Sequence, residues 1–344
     1  MKAVIFKEHG GVDKLELVTD FPEPTISEHD VLIRVKACAL NQLDIFTRNG
    51  SPALKLPLPH VPGSDVAGII EKVGDHVKGW NVGDRVVVNP GIWCTTCEFC
   101  IAGEHSLCKS FKLLGEHISG GYAEYIKIPA RNLLKLPEHV SFEEAAGAAL
   151  SLLTAYRMII KRGRLRPGET MLVIGASGGV STFAMQLGKL AGAKVWATTS
   201  TDEKVKQAKE LGADYVINYT TDPNWSKTVF LESNKRGVDI VVDSVGEKTW
   251  QGSLRSLRKG GRLVTCGGTT GMNGNTNIAL IFWNQLEIIG STMSSHSEFM
   301  EAMQLLFDGK IKVPLKTFEL EQAREAQEYL MNQQQFGKVV LKIS

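Results

Sequence analysis

The chain has 344 residues, of which 43% are hydrophobic and 22% charged, and its formal net charge is +2. This length favours about two domains, the composition is that of an ordinary globular protein, and the charge gives no reason to expect nucleic acid or an anionic membrane as a partner. The first residues lack the apolar region and cleavage site of a signal peptide. No stretch approaches the roughly 18 apolar residues of a membrane span, so we expect a cytoplasmic protein.

Short β-like segments interrupted by Gly and Pro fill residues 1–128. The first residues predict two short strands around the Gly10-Gly11 turn. Further strand-like runs are "DVLIRVKACAL", "DVAGIIEKVG", "GDRVVVNPG" and "GGYAEYIKIP". Short strands at this spacing, separated by turn residues, predict a small β-barrel or sandwich.

Four of the six cysteines lie within sixteen residues of this region, in a C-x2-C-x2-C-x7-C pattern. They are Cys94, Cys97, Cys100 and Cys108. In a reducing compartment such a cluster predicts a metal site before a disulfide framework. Four thiolates satisfy tetrahedral zinc and leave no open position, so the predicted zinc is structural. The alternative is a set of free thiols on an exposed loop, which would be prone to oxidation.

Strand-like and helix-like segments alternate between residues 129 and 295. The strand-like segments are "TMLVIGASGG", "KVWATTS", "YVINY", "GVDIVVDSVG", "RLVTCGG" and "LEIIGSTM". Strands that alternate with helices of this length predict βαβ units and a parallel, doubly wound sheet. Residues 296–344 predict two more helices and a last strand, "GKVVLKI", and we expect this tail to pack on the first domain.

The segment "VIGASGGVSTFAMQ" joins a predicted strand to a predicted helix, as a dinucleotide-binding turn does. Its glycine pattern is imperfect, because Ala176 and Ser181 stand where glycines are expected. Gly178 and Gly179 still allow the backbone to approach a pyrophosphate at the positive end of the helix. Together with the βαβ series, this turn predicts a nicotinamide dinucleotide cofactor.

The end of the second predicted strand of this series bears on which cofactor is used. An NAD enzyme usually carries Asp or Glu there, whereas this chain has "TTSTDEK" at 198–204. Asp202 fits better as a residue of the following helix N-terminus. The hydroxyls, including Ser200, and the amine of Lys204 suit a 2′-phosphate, so NADPH is favoured over NADH. The alternative is that Lys204 is only a solvated helix residue.

The cysteine cluster, "PGSDVAGIIEKVG", "LTAYRMI", "GASGGV" and "FGKVVL" resemble the medium-chain dehydrogenase/reductase superfamily along nearly the whole chain. The resemblance implies an α/β protein with a GroES-like β-barrel catalytic domain and a doubly wound Rossmann domain. The first would span 1–128 and 296–344, with a structural zinc lobe at about 93–110, and the second 129–295. It also implies a homodimer or homotetramer, built by pairing the edge strand "LEIIGSTM" with its copy.

Zinc alcohol dehydrogenases of that superfamily hold a second, catalytic zinc by Cys, His and Cys. These positions fall on Asn41, Ser64 and Leu150, with Asp65 as the neighbouring acid. The resemblance therefore implies that the catalytic zinc is lost. Cys38 and His60 lie three and four residues from two of these positions, and we interpret both as packing or hydrogen-bonded groups. The alternative is an alcohol or aldehyde dehydrogenase that binds a catalytic metal through Asp65 with His60 or Cys38.

Zinc-free quinone oxidoreductases of the superfamily share the "LN" motif of Leu40–Asn41, and "TAYRM", "GASGG" and "CGGTTGMN" resemble enoyl-CoA reductases. The resemblance implies NADPH-dependent reduction of an enoyl-CoA such as acryloyl- or crotonyl-CoA, an enone or a quinone. Carboxylating members use a carbon dioxide pocket of Asn, Phe, Glu and His. The matching positions here are Asn41, Gly115, Glu116 and Thr292, and only two agree, so we expect little or no carboxylation.

Catalytic candidates are Asn41, which would orient a carbonyl or the nicotinamide, and the polar pair Glu116 and His117. For the pair, a loop hydrogen-bond network is an equal alternative, and we expect His296 at the surface. Positions resembling cofactor contacts are Asn41, Thr154, Gly178, Gly179, Val180, Ser200, Lys204, Tyr219, Gly267 and Lys338. A non-enzymatic NADPH-binding protein is a third possible function.

Overall fold

The computed structural model describes residues 1–51 and 55–344 and divides into two units. The first unit comprises Met1–Leu150 and Ser294–Ser344, and the second comprises Ser151–Met293. Among the described residues, no helix combines the length and apolar character that crossing a bilayer requires.

The N-terminal part of the first unit is mostly short strands. Its elements are β1 Ala3–Ile5, β2 Glu16–Val18, β3 Asp30–Ala39, α1 Gln42–Asn49, β4 Asp65–Val73, β5 Arg85–Val88, β6 Gly91–Ile92, α2 Glu98–Ile101, β7 Lys112–Leu113, β8 Tyr125–Pro129, β9 Leu133–Lys135 and the first part of α3 Phe142–Tyr156, whose residues after Leu150 belong to the second unit. As the sequence predicts, β1 and β2 flank the Gly-Gly segment and pair antiparallel. A single 3₁₀ turn at Val12–Lys14 separates that segment from β2.

The second unit alternates strands and helices after a π-helical turn at Arg157–Arg162. Its elements are β10 Thr170–Val173, α4 Gly179–Leu190, β11 Lys194–Thr199, α5 Asp202–Glu210, β12 Tyr215–Asn218, α6 Trp225–Glu232, β13 Val238–Asp243, α7 Trp250–Ser256, β14 Leu257–Thr265, α8 Ile278–Asn284 and β15 Glu287–Gly290. The chain then returns to the first unit with α9 His296–Phe307, β16 Leu315–Glu319, α10 Ala323–Met331 and β17 Lys338–Lys342.

The main sheet of the first unit has the strand order β16-β17-β3-β4-β5-β9, and β8 also pairs with β3. Among the described residues of this sheet, β16 and β17 pair parallel and the other neighbouring strands pair antiparallel. The inward-facing residues of β3 alternate as the two-residue period of a strand requires, with Val31, Ile33 and Val35 in one buried cluster. Burial of each such side chain stabilises the fold by about 1.5–3 kcal/mol.

The sheet of the second unit is wholly parallel, in the order β12-β11-β10-β13-β14-β15. Counted from β10, this is the 3-2-1-4-5-6 order of a doubly wound dinucleotide-binding fold. β13 is buried along its whole length, as expected for a central strand covered on both faces. In such sheets ligands bind outside the carboxyl ends of the strands, where the order reverses between the first and fourth strands. Here that place lies between β10 and β13.

The boundaries between the units differ from those predicted from the sequence. The first lies at Leu150 rather than at 128, and the second at Met293 rather than at 295. The shift has a structural reason, because β9 pairs with β5 inside the first unit. The backbone N–H of Leu150 in α3 also donates to Asp65 at the start of β4, at 2.7 Å. The change in the sequence from short strands to alternating strands and helices therefore comes before the boundary between the two units.

Candidate functional site

The four cysteines gather in one lobe of the first unit, with their sulfur atoms within 4.8 Å of one another. Sγ of Cys100 lies 3.9 Å from Sγ of Cys94 and 3.5 Å from Sγ of Cys97. A tetrahedral zinc with Zn–S bonds of about 2.3 Å has sulfur–sulfur edges of about 3.8 Å. The donor set and its spacing therefore fit one zinc ion with every coordination position filled by the protein.

Backbone N–H groups also face these sulfurs, as they do in thiolate sites. The N–H of Cys97 donates to Sγ of Cys94 at 3.4 Å, and the N–H of Ser110 donates to Sγ of Cys108 at 3.4 Å. Donation from the backbone of Thr96 and Cys97 lowers the pKa of Cys94 to about 6. These donors favour the thiolate form of Cys94, which is the form that binds metal.

The cysteine lobe packs against the start of α9, and this corrects one expectation. His296 is half-buried rather than at the surface, with its ring centroid 5.5 Å from that of Trp93. Its backbone N–H donates to Nδ1 of His105 at 3.0 Å, and burial lowers its pKa to about 4. The sequence offered no signal for this contact, because 191 residues separate the two histidines.

A second polar cluster lies at one end of three neighbouring strands of the main sheet. In the antiparallel register Ala39 of β3 faces Asp65 of β4 on one side and Val340 of β17 on the other. This register brings three residues together. They are Asn41, which precedes α1, Asp65 at the first position of β4, and Lys338 at the first position of β17. We call these three residues the Lys338 cluster.

The three side chains of the Lys338 cluster bond to one another. Nζ of Lys338 donates to Oδ1 of Asn41 at 2.6 Å and to Oδ2 of Asp65 at 3.0 Å. Nδ2 of Asn41 donates to the same Oδ2 at 2.9 Å. Asp65 is fully buried and Lys338 is 3% exposed. Burial raises the pKa of Asp65, while Lys338 and Asn41 act to lower it.

A second carboxyl group, that of Asp44 in the first turn of α1, lies next to this cluster. It accepts from the backbone N–H of Asn41 at 2.8 Å, from that of Gly63 at 3.2 Å and from the Tyr122 hydroxyl at 3.2 Å. Burial nevertheless raises the pKa of Asp44 to about 7. Sequence reasoning missed this residue, because only the folded chain shows that it is buried.

Cys38 and His60 are packing or hydrogen-bonded groups in the structure. Cys38 is fully buried, and its Sγ would lie 2.7 Å from a Cβ placed on Gly63. His60 is also fully buried, with Nε2 3.1 Å from the carbonyl oxygen of Gly115. Burial lowers the pKa of His60 and raises that of Cys38.

Glu116 and His117 lie in the loop after β7, and their contacts favour a loop network. Nδ1 of His117 accepts from the backbone N–H of Leu113 at 3.2 Å, which fixes the ring against the loop. Oε2 of Glu116 lies 3.3 Å from the same nitrogen. Burial raises the pKa of Glu116, and the charge of His117 would lower it.

The nucleotide turn of the second unit lies at the switch point of the parallel sheet. Gly178 is the N-cap of α4, and α4 begins at Gly179 and continues through Val180 to Leu190. Gly175 has φ +69°, and a Cβ there would meet Val245, just after β13, at 3.3 Å. The hydroxyl of Ser181 donates to the carbonyl of Ile174 at 2.9 Å and ties the helix to the strand. These residues fit the pyrophosphate of a dinucleotide.

Three of the residues predicted to contact the cofactor, Ser200, Lys204 and Tyr219, follow the ends of β11 and β12. The backbone N–H of Tyr219 donates to the carbonyl of Thr199 at 2.8 Å, next to Ser200. The Thr201 hydroxyl caps α5 by accepting from the backbone N–H of Lys204 at 3.2 Å. Lys204 is half-buried, and burial lowers its pKa. Asp202 is the first residue of α5, as the sequence predicts, and it accepts from Asn218 at 2.8 Å.

The remaining cofactor candidates are divided between the units. Thr154 is a buried residue of α3, and Gly267 is an exposed residue two positions after β14. Both belong to the second unit, whereas Asn41 and Lys338 belong to the first, where they bond to each other.

The sequence also matches known protein families and proteins. Residues 27–138 match the family model of the alcohol dehydrogenase GroES-like domain, and residues 179–308 match that of zinc-binding dehydrogenases. A zinc-type alcohol dehydrogenase-like protein of Schizosaccharomyces pombe is 36% identical over 100% of this chain and 99% of that protein. The acryloyl-coenzyme A reductase of Sulfurisphaera tokodaii is 35% identical over 99% of this chain and 100% of that protein. A crystal structure of an NAD-dependent alcohol dehydrogenase has a TM-score of 0.95 and 42% identity, with 100% of both chains covered.

The chain belongs to the medium-chain dehydrogenase/reductase superfamily. The predicted fold class is confirmed, with a GroES-like domain and a Rossmann-like domain in a mixed α/β protein. As a member of this superfamily the protein is an oxidoreductase, for which an NAD(P) cofactor is expected. Its four-cysteine lobe could hold the structural zinc.

The catalytic zinc of medium-chain dehydrogenases does not fit the residues that stand at its ligand positions. Asn41, Ser64 and Leu150 offer an amide, a hydroxyl and an apolar side chain in place of thiolates and an imidazole. The ammonium of Lys338 is bonded to the first of these and to the neighbouring Asp65. Within residues 1–51 and 55–344, no group of three or more His, Cys, Asp or Glu ligands includes Asp65, His60 or Cys38.

Proposed function

We propose that this chain is an NADPH-dependent reductase that delivers hydride to an α,β-unsaturated carbonyl compound without a catalytic metal. The observation that carries the proposal is the Lys338 cluster. A buried ammonium, 3.0 Å from Asp65 and 2.6 Å from Asn41, supplies positive charge beside the positions where related alcohol dehydrogenases hold zinc. A cation bound there as well would be repelled by this ammonium.

A site without a catalytic metal would favour one direction of hydride transfer. Hydride removal from an alcohol needs stabilisation of an alkoxide, which is the contribution of a Lewis acid. Hydride addition to a conjugated C=C bond places the charge on the carbonyl oxygen as an enolate, which hydrogen-bond donors can stabilise. The bound nicotinamide would supply the hydride.

The first unit offers a buried hydroxyl for that purpose. Ser64 is fully buried, and its Oγ has no hydrogen-bond partner in the part of the chain that the structure describes. It stands at a position that holds the metal-binding histidine in related zinc enzymes, and a hydroxyl can donate one hydrogen bond. Lys338 and Asp65 hold the Asn41 amide in one orientation, because its oxygen accepts from the ammonium and its nitrogen donates to the carboxylate. Ser64 would thus donate to the substrate oxygen, and Asn41 would orient the carbonyl or the nicotinamide.

The end of β11 supports NADPH over NADH. Thr199 and Ser200 follow one another there without a carboxylate to accept from the ribose hydroxyls. Lys204 follows β11 in α5 and Tyr219 follows the neighbouring strand β12, and both would bind the 2′-phosphate. The alternative, in which Lys204 is only a solvated residue, is disfavoured by its half-buried position.

Carboxylation is disfavoured by the backbone at Gly115. This glycine has φ +77°, and a Cβ there would lie 2.5 Å from the backbone of Gly63. A phenylalanine, which the carboxylating relatives have at this position, would clash with Gly63 unless the loop moved. We propose simple reduction, with little or no incorporation of carbon dioxide.

The second candidate is an alcohol dehydrogenase, and the similarity to the S. pombe protein and the NAD-dependent alcohol dehydrogenase structure favours it. The donor set at Asn41, Ser64 and Leu150 opposes it. Two measurements separate the candidates: hydride transfer from NADPH to crotonyl-CoA, acryloyl-CoA, an enone and a quinone, and hydride removal from primary alcohols with NADP⁺ and NAD⁺. We expect activity in the first set of measurements, with NADPH and the unsaturated acceptors. We also expect one zinc ion per chain after dialysis against a weak chelator.

Activity with alcohols that depends on a second, tightly bound zinc would contradict the proposal. NADPH binding without turnover of any acceptor would instead favour the non-enzymatic alternative. Ser64→Ala provides a finer test, because it should lower kcat while leaving the dissociation constant of NADPH unchanged.

We also propose that two copies pair through β15, which ends the strand order of the parallel sheet. Ile288 on this strand is 41% exposed, and on the adjacent element α8 Trp283 is 73% exposed. Apolar side chains exposed beside a sheet edge are typical of an interface, and identical edges form a two-fold contact.

A further inference from the structure

Two histidines and a glutamate meet on the surface of the first unit, outside the cysteine lobe and the Lys338 cluster. They are Glu28 and His29, just before β3, and His76, just after β4. One ligand atom from each lies within 4.8 Å of the other two. Oε1 of Glu28 is 3.5 Å from Nε2 of His29, and Oε2 is 3.4 Å from Nδ1 of His76.

These distances fit ligands around a metal better than they fit hydrogen bonds. An N–H···O bond has its preferred length near 2.9–3.0 Å, and both contacts exceed it. Zinc bonds to imidazole nitrogen and carboxylate oxygen are about 2.0–2.2 Å, which gives tetrahedral edges of about 3.3–3.6 Å. Both carboxylate–imidazole distances fall within that interval.

Backbone hydrogen bonds fix the positions of the three residues along the chain. The N–H of His76 donates to the carbonyl of Glu28 at 2.9 Å, and the N–H of Gly74 donates to the carbonyl of Asp30 at 2.9 Å. On the other side the N–H of Ala130 donates to the carbonyl of His29 at 3.1 Å. The imidazole rings lie 5.2 Å apart. Two of the ligands therefore come from strand ends whose register is fixed by the sheet, which reduces the entropy lost when a metal binds.

A surface cavity of about 340 Å³ opens beside the histidines. Its lining includes Lys78 and Arg131 as well as His29 and His76. Arg131 is directed toward the cysteine lobe, since its Nη2 donates to the carbonyl of Trp93 at 3.0 Å and its guanidinium lies 5.6 Å from the Trp93 ring. The cavity can admit a fourth ligand such as a solvent molecule or a small anion.

We propose that Glu28, His29 and His76 form a second metal site that binds one borderline divalent ion, Zn²⁺, Ni²⁺ or Cu²⁺. Imidazole and carboxylate are ligands that these ions accept, and the fourth position takes solvent or a small anion from the cavity. The site binds more weakly than the four cysteines, because it offers three exposed ligands instead of four thiolates. It is independent of the proposed reductase activity.

The test is a calorimetric titration of Zn²⁺ into protein that already holds its structural zinc. We expect one further saturable site per chain in the wild type and none in His29→Asn/His76→Asn. Glu28→Gln should weaken zinc binding by at least roughly tenfold, because removal of a group that only hydrogen-bonds to a metal ligand already has an effect of that size. His139→Asn, which removes an exposed histidine of the same unit, should leave the site unchanged.

A Cu²⁺ titration followed by electron paramagnetic resonance adds a structural readout, because two imidazole nitrogens give a distinct hyperfine pattern. Absence of a saturable site in the folded wild type would overturn the proposal. So would a site that survives in His29→Asn/His76→Asn. If that surviving site disappears in Asp65→Asn, the additional metal lies at the Lys338 cluster instead.

Discussion

The ammonium of Lys338 lies 3.0 Å from Oδ2 of Asp65, and the two side chains are 3% and 0% exposed. They join the first positions of β17 and β4, which are both neighbours of β3. A charge pair buried this deeply carries a desolvation cost that its mutual attraction and its further hydrogen bonds must offset. Asn41 and the backbone N–H of Leu150 provide those further bonds. Loss of either partner therefore leaves an uncompensated charge.

Lys338→Met should lower the free energy of unfolding by about 3–5 kcal/mol, because it leaves the Asp65 carboxylate buried without a counter-charge. The double variant Asp65→Asn/Lys338→Met should lose less than the sum of the two single changes. Urea unfolding of the four proteins measures the coupling. Lys342→Met on the same strand is the matched control, since its pair with Glu143 is 3.6 Å long and partly exposed. Lys342→Met should lower the free energy of unfolding by at most about 1 kcal/mol. Additive effects of Asp65→Asn and Lys338→Met would contradict the coupling between the two residues.

Much of the second unit could be predicted from the sequence, because its signals are local. An apolar strand that runs into a glycine turn predicted β10, the next strand-like run predicted β11, and the helical spacing after each predicted α4 and α5. Helix α7 is shorter than its pattern, since Leu257 already begins β14. The absence of zinc-binding side chains at Asn41, Ser64 and Leu150 could also be read directly from the sequence.

What could not be predicted is what replaced those ligands. Asp65 and Lys338 are 273 residues apart, and their contact depends on the pairing of β17 with β3 and of β3 with β4. "FGKVVL" marks Lys338 as a motif residue but does not indicate where its ammonium points. The burial of Asp44 and the contact between His105 and His296 are of the same kind, because both arise only from packing.

Charge reversal at Lys204 tests the proposed cofactor preference. A charge-assisted hydrogen bond contributes about 1.5–3 kcal/mol, so Lys204→Glu should raise the KM for NADPH by roughly 10- to 100-fold. The KM for NADH should change little, because NADH lacks the 2′-phosphate. Lys206→Glu changes the same charge at an exposed position of the same helix and serves as the control. Equal effects of Lys204→Glu on both cofactors would argue for a structural role only.

Removal of a zinc ion held by the four cysteines should disturb Trp93, which packs in one cluster with Cys100 and Cys108. We expect a chelator used with a thiol-modifying reagent to release one zinc per chain, in step with a change in tryptophan emission. Cys97→Ser should bind zinc more weakly, because it leaves three thiolates. In Trp93→Phe the emission change should disappear while zinc release persists. Zinc release without any change in wild-type emission would show that the ion is bound elsewhere.

The proposed dimer depends on apolar side chains at one edge of the second unit. Ile278, Trp283 and Phe282 of α8 are 72%, 73% and 58% exposed in the single chain. Trp283→Glu combined with Ile288→Lys should shift the sedimentation coefficient from that of a dimer to that of a monomer. Val82→Lys is the control, because Val82 is 65% exposed but lies in the first unit. A monomeric wild type at micromolar concentration would contradict the proposal directly.

The pH dependence of stability should carry the signature of Asp44. Burial raises its pKa to about 7, against an ordinary value of 3.8, so between these values the folded chain binds a proton that the unfolded chain has released. The resulting stabilisation is fully present below pH 3.8 and is lost as the pH rises through about 7. Its size is on the order of a few kcal/mol.

Asp44→Asn cannot titrate, so its unfolding free energy should lack this decline between about pH 4 and 7, whatever its absolute value. Asp30→Asn offers a comparison, because that carboxylate is partly exposed and accepts locally from the backbone N–H and the hydroxyl of Ser27. Its pH profile should follow that of the wild type. If Asp44→Asn retains the wild-type slope, the three donors to Asp44, from Asn41, Gly63 and Tyr122, outweigh its burial and hold the carboxylate charged in the folded protein.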